Sequence, residues 1–354
     1  MPKPIPPPPP QASPEETVKA VRLARGLMAC AILLFLGIAA TYGPDSWLVE
    51  RGRGNSSSWA LYKVDQLDQD QARAHEGGRV AWLVGSSLVR AAFDEPELNT
   101  LLEQRNSPLR ARKFAMDRGA AGHAIGLLKR LPVREGDVVV HALSPEHFRP
   151  DWLEFTSFPA WRLRMVLEPR ELWAIQEWSV QDKLEASMMF PADFWTYHED
   201  TMKGYERTFL SLVRRGKLPQ PRRNSIHLTH ATVDRAQGYT GEFPEGPEHP
   251  RFQDAEAFQP VPGQINHDGL LEMRAWCEER GARLILVRIP PSPPLREQLQ
   301  TPELQQAWDL WAQEQGVHDL GQLPEEAFMD EVHPNGQGRE VLTERIAGVL
   351  EPAP

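Results

Sequence analysis

The chain has 354 residues and a formal net charge of −10, because 49 acidic side chains outnumber 39 lysines and arginines. This balance argues against a general nucleic-acid binder, which would carry a basic surface. The hydrophobic fraction of 41% and the charged fraction of 25% are those of an ordinary globular protein. Two cysteines, Cys30 and Cys277, are too few for a disulfide framework or a cysteine-rich zinc site.

The amino-terminal region predicts a tail, a membrane anchor and a stalk. Residues 1–25 are rich in proline, with an unbroken run at 6–10, and are expected to be disordered. Residues 26–44 contain 19 consecutive uncharged residues, about the length that crosses ~30 Å of hydrocarbon as one helix. A cleaved signal peptide or a buried core helix are the alternatives, although the long polar leader favours a retained span. Residues 45–78 are interpreted as a helical stalk.

The charges on either side of that span predict its orientation. Lys19, Arg22 and Arg25 precede it, whereas Arg51 and Arg53 follow it, which leaves a small positive excess on the amino side. We therefore expect a single-pass protein of a bacterial-type cytoplasmic membrane, with the tail inside and the bulk of the chain extracytoplasmic.

A serine turn follows the first short apolar run of the remaining chain. The run at 79–84 stops at Gly85-Ser86-Ser87-Leu88, after which apolar residues have helical spacing. This pattern predicts a strand that passes into a helix at the carboxyl edge of a parallel sheet, where open α/β sheets form their sites. A hydroxyl exposed there is a candidate nucleophile. The alternative is that Ser86 or Ser87 only caps the helix, because serine is a preferred N-cap residue.

Four more strands are predicted, and polar or small residues follow several of them. These strands cover residues 113–116, 137–143, 282–289 and 317–320, and helical segments between them indicate an α/β fold with a parallel sheet. After the second strand, glycine-rich sequence offers a backbone amide that suits a developing oxyanion, or else makes an ordinary tight connection. Near it, His141 lies inside an apolar strand and is expected in the core, whereas His123 is a candidate to line the cleft.

Asp330 and His333 lie three residues apart on a turn before the last predicted helix. A serine nucleophile needs a base whose imidazole is held in one tautomer, and a nearby carboxylate can accept the other ring proton. One local segment thus supplies both partners of the serine. A His-Pro pair before a helix is common in loops, so this prediction depends on the combination with the serine turn.

In combination, these motifs resemble the SGNH/GDSL hydrolase superfamily. The sequence GSSL at 85–88 is similar to the first block of that family, and DEVH at 330–333 is similar to its last block. The resemblance implies a flavodoxin-like three-layer fold with a parallel sheet, formed here by residues 79–150 and 266–354.

The resemblance also implies a role for each matching residue: nucleophile for Ser87, base for His333, orienting acid for Asp330 and oxyanion glycine for Gly122. Two positions depart from the family pattern. Ser86 stands where the first block has aspartate, and residues 143–146 replace the third block, so its asparagine donor is missing. Ser144 and His147 are the candidate oxyanion or substrate-binding side chains in its place.

The anchor, the GSS first block and the SPxx third block are more similar to a membrane-tethered branch of the superfamily. This branch includes the D-alanyl-lipoteichoic acid transfer protein and polysaccharide O-acetylation proteins, which act beside membrane-bound O-acyltransferases. The resemblance therefore implies an acylated cell-envelope glycan as substrate and a membrane-bound O-acyltransferase as a candidate partner.

Residues 151–265 separate the third and fourth strands and are interpreted as an insertion, because ordinary crossovers are much shorter. Residues 151–215 have helical-looking sequence and five of the eleven tryptophans, which suit sugar stacking, a lipid interface or packing on the sheet. The remainder is expected to be a long surface loop. His227, His230 and His249 lack an accompanying carboxylate cluster, so a metal site is not expected there.

These observations predict a membrane-anchored serine acyl-transfer enzyme, which is an esterase if water accepts the acyl group and an O-acyltransferase if a glycan hydroxyl does. No metal or organic cofactor is expected, because a serine nucleophile with a histidine base needs neither. A noncatalytic adaptor that binds glycan or a membrane-bound acyltransferase is the alternative, and the missing asparagine supports it. A lipase-like hydrolase of membrane lipid is a third hypothesis, which predicts a wide apolar groove beside Ser87.

Overall fold

The computed structural model describes residues 78–116, 119–148, 192–215, 258, 260–299 and 302–351, together with a few single positions elsewhere. Almost all of the predicted tail, of the predicted anchor at 26–44 and of the predicted stalk lies outside these residues, as do most of the predicted insertion and its three histidines. Within the described part of the chain, no helix is both long enough and apolar enough to cross a membrane.

Five strands form one sheet: β1 (Arg79–Gly85), β2 (Leu109–Ala115), β3 (Val138–Leu143), β4 (Arg283–Arg288) and β5 (His318–Asp319). Every neighbouring pair is parallel, and the strand order is β2-β1-β3-β4-β5. This is the order of flavodoxin-like doubly wound sheets, in which ligands bind at the carboxyl ends of the strands near the β1/β3 switch point. The predicted α/β class and parallel sheet are confirmed.

One or two of the described helices follow each strand. They are α1 (Ser87–Ala92), α2 (Glu95–Gln104), α3 (Ala121–Leu128), α4 (Ala192–Arg215), α5 (Ile265–Glu279), α6 (Pro293–Leu299), α7 (Pro302–Glu314) and α8 (Gly336–Leu350). Helix α4 lies within the predicted insertion. Short 3₁₀ turns at Pro145–Phe148 and Glu325–Ala327 follow β3 and β5.

Alternating side chains of the strands face two separate helical layers. On one face, Ala81 and Leu83 of β1 belong to a core that includes residues of α1, α2 and α8. On the other face, Val80 and Trp82 pack with residues of α3 and α5. Because side chains alternate along a strand, the continuous apolar run of β1 supplies both cores. The sheet is therefore the middle of three layers.

Helices α3 and α5 approach each other closely at two glycines. A Cβ atom at Gly269 would lie 2.6 Å from both the Cα and the N atom of Gly122, and one at Gly122 would lie 2.3 Å from Cγ1 of Ile265. Both distances are far shorter than a van der Waals contact. The absence of side chains at these positions allows the contact that fixes the start of α3 beside the sheet.

We expect Gly269→Ala to lower the free energy of unfolding by about 1–3 kcal/mol, the usual cost of overpacking, because the new methyl group would meet backbone atoms. Gly348→Ala on α8 is the matched control, since the nearest atom to its added Cβ is Arg105 Nη1 at 3.8 Å. The control is expected to keep or slightly gain stability through helix propensity. Urea denaturation measures both variants, and equal stabilities would contradict the close contact.

Candidate active site

The turn after β1 gives its two serines different environments. Ser86 is the N-cap of α1, is 3% exposed, and accepts a hydrogen bond from the Leu88 N–H at 3.2 Å through its Oγ. Ser87 is the first residue of α1 and is half-buried, and its Oγ lies 2.8 Å from Nε2 of His333. The capping role therefore belongs to Ser86, while Ser87 is the serine that meets the histidine.

Asp330 holds the other side of the His333 ring. The distances from His333 Nδ1 to the two carboxylate oxygens of Asp330 are 2.8 and 3.0 Å. With Nδ1–H donating to this carboxylate, Nε2 is the nitrogen that accepts the Ser87 hydroxyl proton. The structure thus brings Ser87, His333 and Asp330 into one hydrogen-bonded series.

Several opposing influences set the charge state of Asp330. Partial burial is the largest and acts to raise its pKa, but the hydrogen bond and charge of His333 act in the other direction. The backbone N–H groups of Val332 and His333 also donate to Asp330 Oδ1, at 2.9 and 2.8 Å. The sum of these contacts holds the pKa of Asp330 below its ordinary value, so the carboxylate is ionised at neutral pH.

The loop that carries Asp330 and His333 is closed on itself. The Met329 N–H donates to the His333 carbonyl at 2.8 Å. Asn335, which is buried at the N-cap of α8, accepts from the N–H of Gln337 and donates through Nδ2 to the Glu326 carbonyl at 2.7 Å. The sequence analysis did not single out this residue, although asparagine before a helical run is an N-cap signal.

The amide of Gly122 has a protein acceptor. Gly122 lies in the first turn of α3, and its N–H donates to Oδ1 of Asn266 at 3.3 Å in a buried position. The predicted oxyanion role of Gly122 is therefore not supported by its geometry, because packing between α3 and α5 explains the glycine. The Ser87 amide differs, since the first N–H of a helix has no acceptor within that helix.

The two candidates after β3 occupy different environments. Ser144 is half-buried and lines a groove together with Leu88. His147 is 2% exposed, and its Nδ1 accepts the Ser144 N–H at 3.4 Å. Burial, with smaller effects of His141 and His123, lowers the pKa of His147 to about 3, so its ring is neutral. The predicted substrate contact at His147 is thus not supported by its burial, whereas Ser144 faces the groove.

Two further histidines lie beneath this edge of the sheet. His141 is buried in β3, its Nδ1–H donates to the Val84 carbonyl at 2.9 Å, and burial lowers its pKa to about 4. Its predicted core position is confirmed. His123 is fully buried in α3, so the expectation that it lines the cleft is wrong. Within the described residues, no group of three or more histidine, cysteine, aspartate or glutamate side chains could hold a metal ion.

Asn266 connects the two loops that surround the site. It is 1% exposed in the first turn of α5, its Oδ1 accepts the Gly122 N–H, and its Nδ2 donates to the His147 carbonyl at 2.6 Å. The sequence analysis missed this residue, because a single asparagine at the edge of an insertion has no motif. Its position shows that the start of α5 orients the loops after β2 and β3.

A groove opens beside the Ser87–His333 pair. Leu88 and Val332, which are the chain neighbours of Ser87 and His333, both line it. The remaining lining is mostly apolar and comes from Ser144, Pro145, Arg288, Ile289, Pro290, Pro291, Leu295, Arg296, Leu304, Gln305 and Trp308.

A scan of the chain against models of protein families found no match, and a search of curated proteins found no similar sequence.

Proposed function

We propose that the protein is a serine acyl-transfer enzyme in which Ser87 attacks an ester carbonyl. The observation that carries the proposal is the hydrogen-bonded series from Asp330 through His333 to Ser87, with 2.8 Å at each step. A serine hydroxyl is a weak nucleophile until a neighbouring base takes its proton. The series provides that base and holds its ring in the required orientation.

The reaction follows from these positions. As Ser87 Oγ bonds to the ester carbon, its proton passes to Nε2 of His333, and the Asp330 carboxylate stabilises the resulting imidazolium. The leaving alcohol then takes that proton, and an acyl-Ser87 remains. Water or a second hydroxyl loses its proton to His333 and attacks the acyl carbon, and the imidazolium returns that proton to Ser87 Oγ as the serine leaves. Water gives an esterase, and a glycan hydroxyl gives an O-acyltransferase.

The substrate proposal depends on the resemblance to the membrane-tethered SGNH branch. It is supported by a serine directly after the first strand, an Asp-x-x-His before the last described helix, and the sheet order of flavodoxin-like folds. On this basis we propose an acylated cell-envelope polysaccharide as substrate, with the catalytic domain extracytoplasmic and residues 26–44 as anchor. A membrane-bound O-acyltransferase is the proposed partner.

The geometry favours the enzyme over the noncatalytic adaptor. A fully buried Ser87, or a wide separation between Ser87 and His333, would fit a binding role. Instead, Ser87 is only half-buried, and His333 retains 22% exposure of its side chain. A binding protein has no need for a serine, an imidazole and a carboxylate in hydrogen-bonding contact.

Two donors are proposed for the oxyanion that forms on the ester carbonyl: the Ser87 amide and the Ser144 hydroxyl. We expect Ser144→Ala to lower kcat by about 10- to 100-fold with little change in KM, because the hydroxyl acts mainly in the transition state. Ser144→Thr keeps the hydroxyl and is expected to retain most of the activity. Steady-state kinetics on an aryl ester measures both, and an unchanged kcat in Ser144→Ala would remove Ser144 from the oxyanion site.

A fluorophosphonate probe tests the proposed nucleophile directly. The full chain in detergent is expected to form a covalent adduct, and peptide mapping is expected to place it on Ser87. Ser87→Ala should abolish labelling, whereas Ser86→Ala, which removes the adjacent hydroxyl, should retain it. Absence of labelling in a folded protein would overturn the proposal and favour the adaptor.

A further inference from the structure

Helix α4 exposes five large apolar side chains, which together are called the α4 stripe. The exposed fractions are 50% for Met202, 44% for Tyr205, 66% for Phe209, 47% for Leu212 and 66% for Val213. At about 100° per residue, these positions fall within an arc of about 100° and extend over about 16 Å of the helix. The stripe is therefore one continuous apolar face.

The faces of α4 are inverted relative to those of an ordinary surface helix, whose apolar stripe faces the core. Thr201 is fully buried and Gly204 is also buried, so two positions that this helix buries hold small residues. Its large apolar side chains instead meet solvent. Single exposed apolar residues are ordinary, but a contiguous exposed apolar patch marks a site of interaction. The α4 stripe therefore points to an apolar partner.

The sequence around the stripe is strongly basic, although the whole chain has a net charge of −10. Residues 203–223 contain seven lysines and arginines and a single glutamate. Arg214 and Lys217 are exposed, and the Ser211 hydroxyl donates to the Lys217 carbonyl at 2.7 Å, which keeps Lys217 beside the last turn of α4. The helix dipole favours cations only in the last turn, so it does not account for this whole excess. The partner should carry negative charge.

An anionic lipid bilayer has both properties. Helices that lie in the membrane interface combine an apolar stripe, an excess of lysine and arginine, and a low overall hydrophobicity. Helix α4 does not qualify as a span, since no helix in the described part of the chain is apolar enough to cross a membrane. A second copy of the chain fits less well, because a stable protein interface uses about 20–30 residues from each partner and is depleted in lysine.

We propose that α4 docks on an anionic phospholipid bilayer, with the α4 stripe inserted between the lipids and the flanking cations at the headgroups. This docking goes beyond the proposed acyl transfer and does not depend on it. It holds the chain against the membrane surface, in addition to the proposed anchor at 26–44, and it does not require that anchor.

Fluorescence from the stripe tests the docking in the full chain. Met202→Cys and Phe209→Cys are made separately in a Cys30→Ser background and labelled with nitrobenzoxadiazole, while the native Cys277 is 1% exposed. On vesicles of phosphatidylcholine with phosphatidylglycerol, both labels should shift their emission to shorter wavelength and be quenched by nitroxide-labelled phospholipid. Leu310→Cys replaces an apolar residue of α7 that is 54% exposed outside the stripe, and its label should show neither effect.

Charge reversal tests the contribution of the cations. In Arg214→Glu/Lys217→Glu, the ratio of docked to undocked Phe209 label should fall by about 25-fold or more, because each cation near an anionic bilayer contributes about fivefold. Arg130→Glu/Arg134→Glu reverses two exposed cations after α3 and should leave this ratio unchanged. Vesicles of phosphatidylcholine alone should weaken docking of the labelled parent protein. Circular dichroism verifies that every variant is folded.

Three results would overturn the docking proposal. Labels at Met202 and Phe209 that remain in water on anionic vesicles would show that the stripe does not enter the bilayer. Equal docking with and without phosphatidylglycerol would exclude an anionic surface as the specific partner. A shift that grows with the protein-to-lipid ratio, without quenching by nitroxide lipid, would identify a second copy of the chain as the occupant. None of these results bears on the labelling of Ser87 by fluorophosphonate, so the two proposals fail separately.

Discussion

We expect His333→Ala and Ser87→Ala each to lower kcat for an aryl ester by about 1,000-fold or more. Without the imidazole, the Ser87 hydroxyl has no base at 2.8 Å to take its proton as it attacks. Without the hydroxyl, the imidazole has no nucleophile to activate. The two variants should leave KM nearly unchanged, because neither removes a wall of the groove. Steady-state kinetics with purified variants measures these effects.

A double variant and a neighbouring serine provide the controls. The losses of kcat caused by residues that act as a unit are not additive. The double variant Ser87→Ala/His333→Ala should therefore lower kcat no further than either single variant does. Ser86→Ala removes an N-cap bond and should cost about 1 kcal/mol of stability, with turnover retained. Substantial turnover in the Ser87→Ala protein would contradict the assignment of the nucleophile.

Asp330→Asn is expected to reduce kcat by about 100- to 10,000-fold, the upper value being that of a fully buried triad carboxylate. The amide carries no charge to stabilise the imidazolium, and its NH₂ group can donate to Nδ1 and so favour the wrong tautomer of His333. Asp330 is 44% exposed, so solvent screening places the expected loss below the upper value. Glu331→Gln removes a charge one residue away and should leave kcat within threefold.

Asp330→Asn is also expected to change how the free energy of unfolding depends on pH in acidic solution. The pKa of Asp330 is below its ordinary value in the folded protein, so ionised Asp330 stabilises the fold at pH values above the unfolded-state pKa of about 4. That contribution is lost as the pH falls through the lower folded-state pKa. The difference in unfolding free energy between wild type and Asp330→Asn should therefore narrow below pH 4, as measured by urea denaturation. A difference that widens there would contradict the depressed pKa.

Local sequence was sufficient to predict the elements that bear the proposed triad. Ser87 follows a continuous apolar run, which in an α/β pattern indicates a buried parallel strand. In such folds the functional sites lie at the carboxyl ends of the strands, where Ser87 stands. Asp330 and His333 are close in the chain, so their contact needs only one turn. Their distance to Ser87 is a tertiary property, and it arises because α8 and α1 share one core.

Contacts between distant parts of the chain, and the composition of an edge strand, limited what the sequence could predict. The amide of Gly122 is occupied by Asn266, a residue 144 positions away, and no local pattern reports such a pairing. The start of β2 was missed because it is an edge strand. Arg110 and Arg112 alternate with apolar residues there and are half-buried, which interrupts the hydrophobic run used to locate strands.

Ser87 depends on His333 as its base, and this determines when during synthesis the serine can become a nucleophile. The two residues are 246 positions apart, and the histidine is held by a loop that closes against the N-cap of α8. While the chain is being made, Ser87 is therefore an ordinary alcohol until residues 330–350 have been synthesised and have docked on the sheet. A chain interrupted before that point would carry the serine without its base. The proposed acyl transfer by Ser87 therefore cannot begin before helix α8 has docked on the sheet.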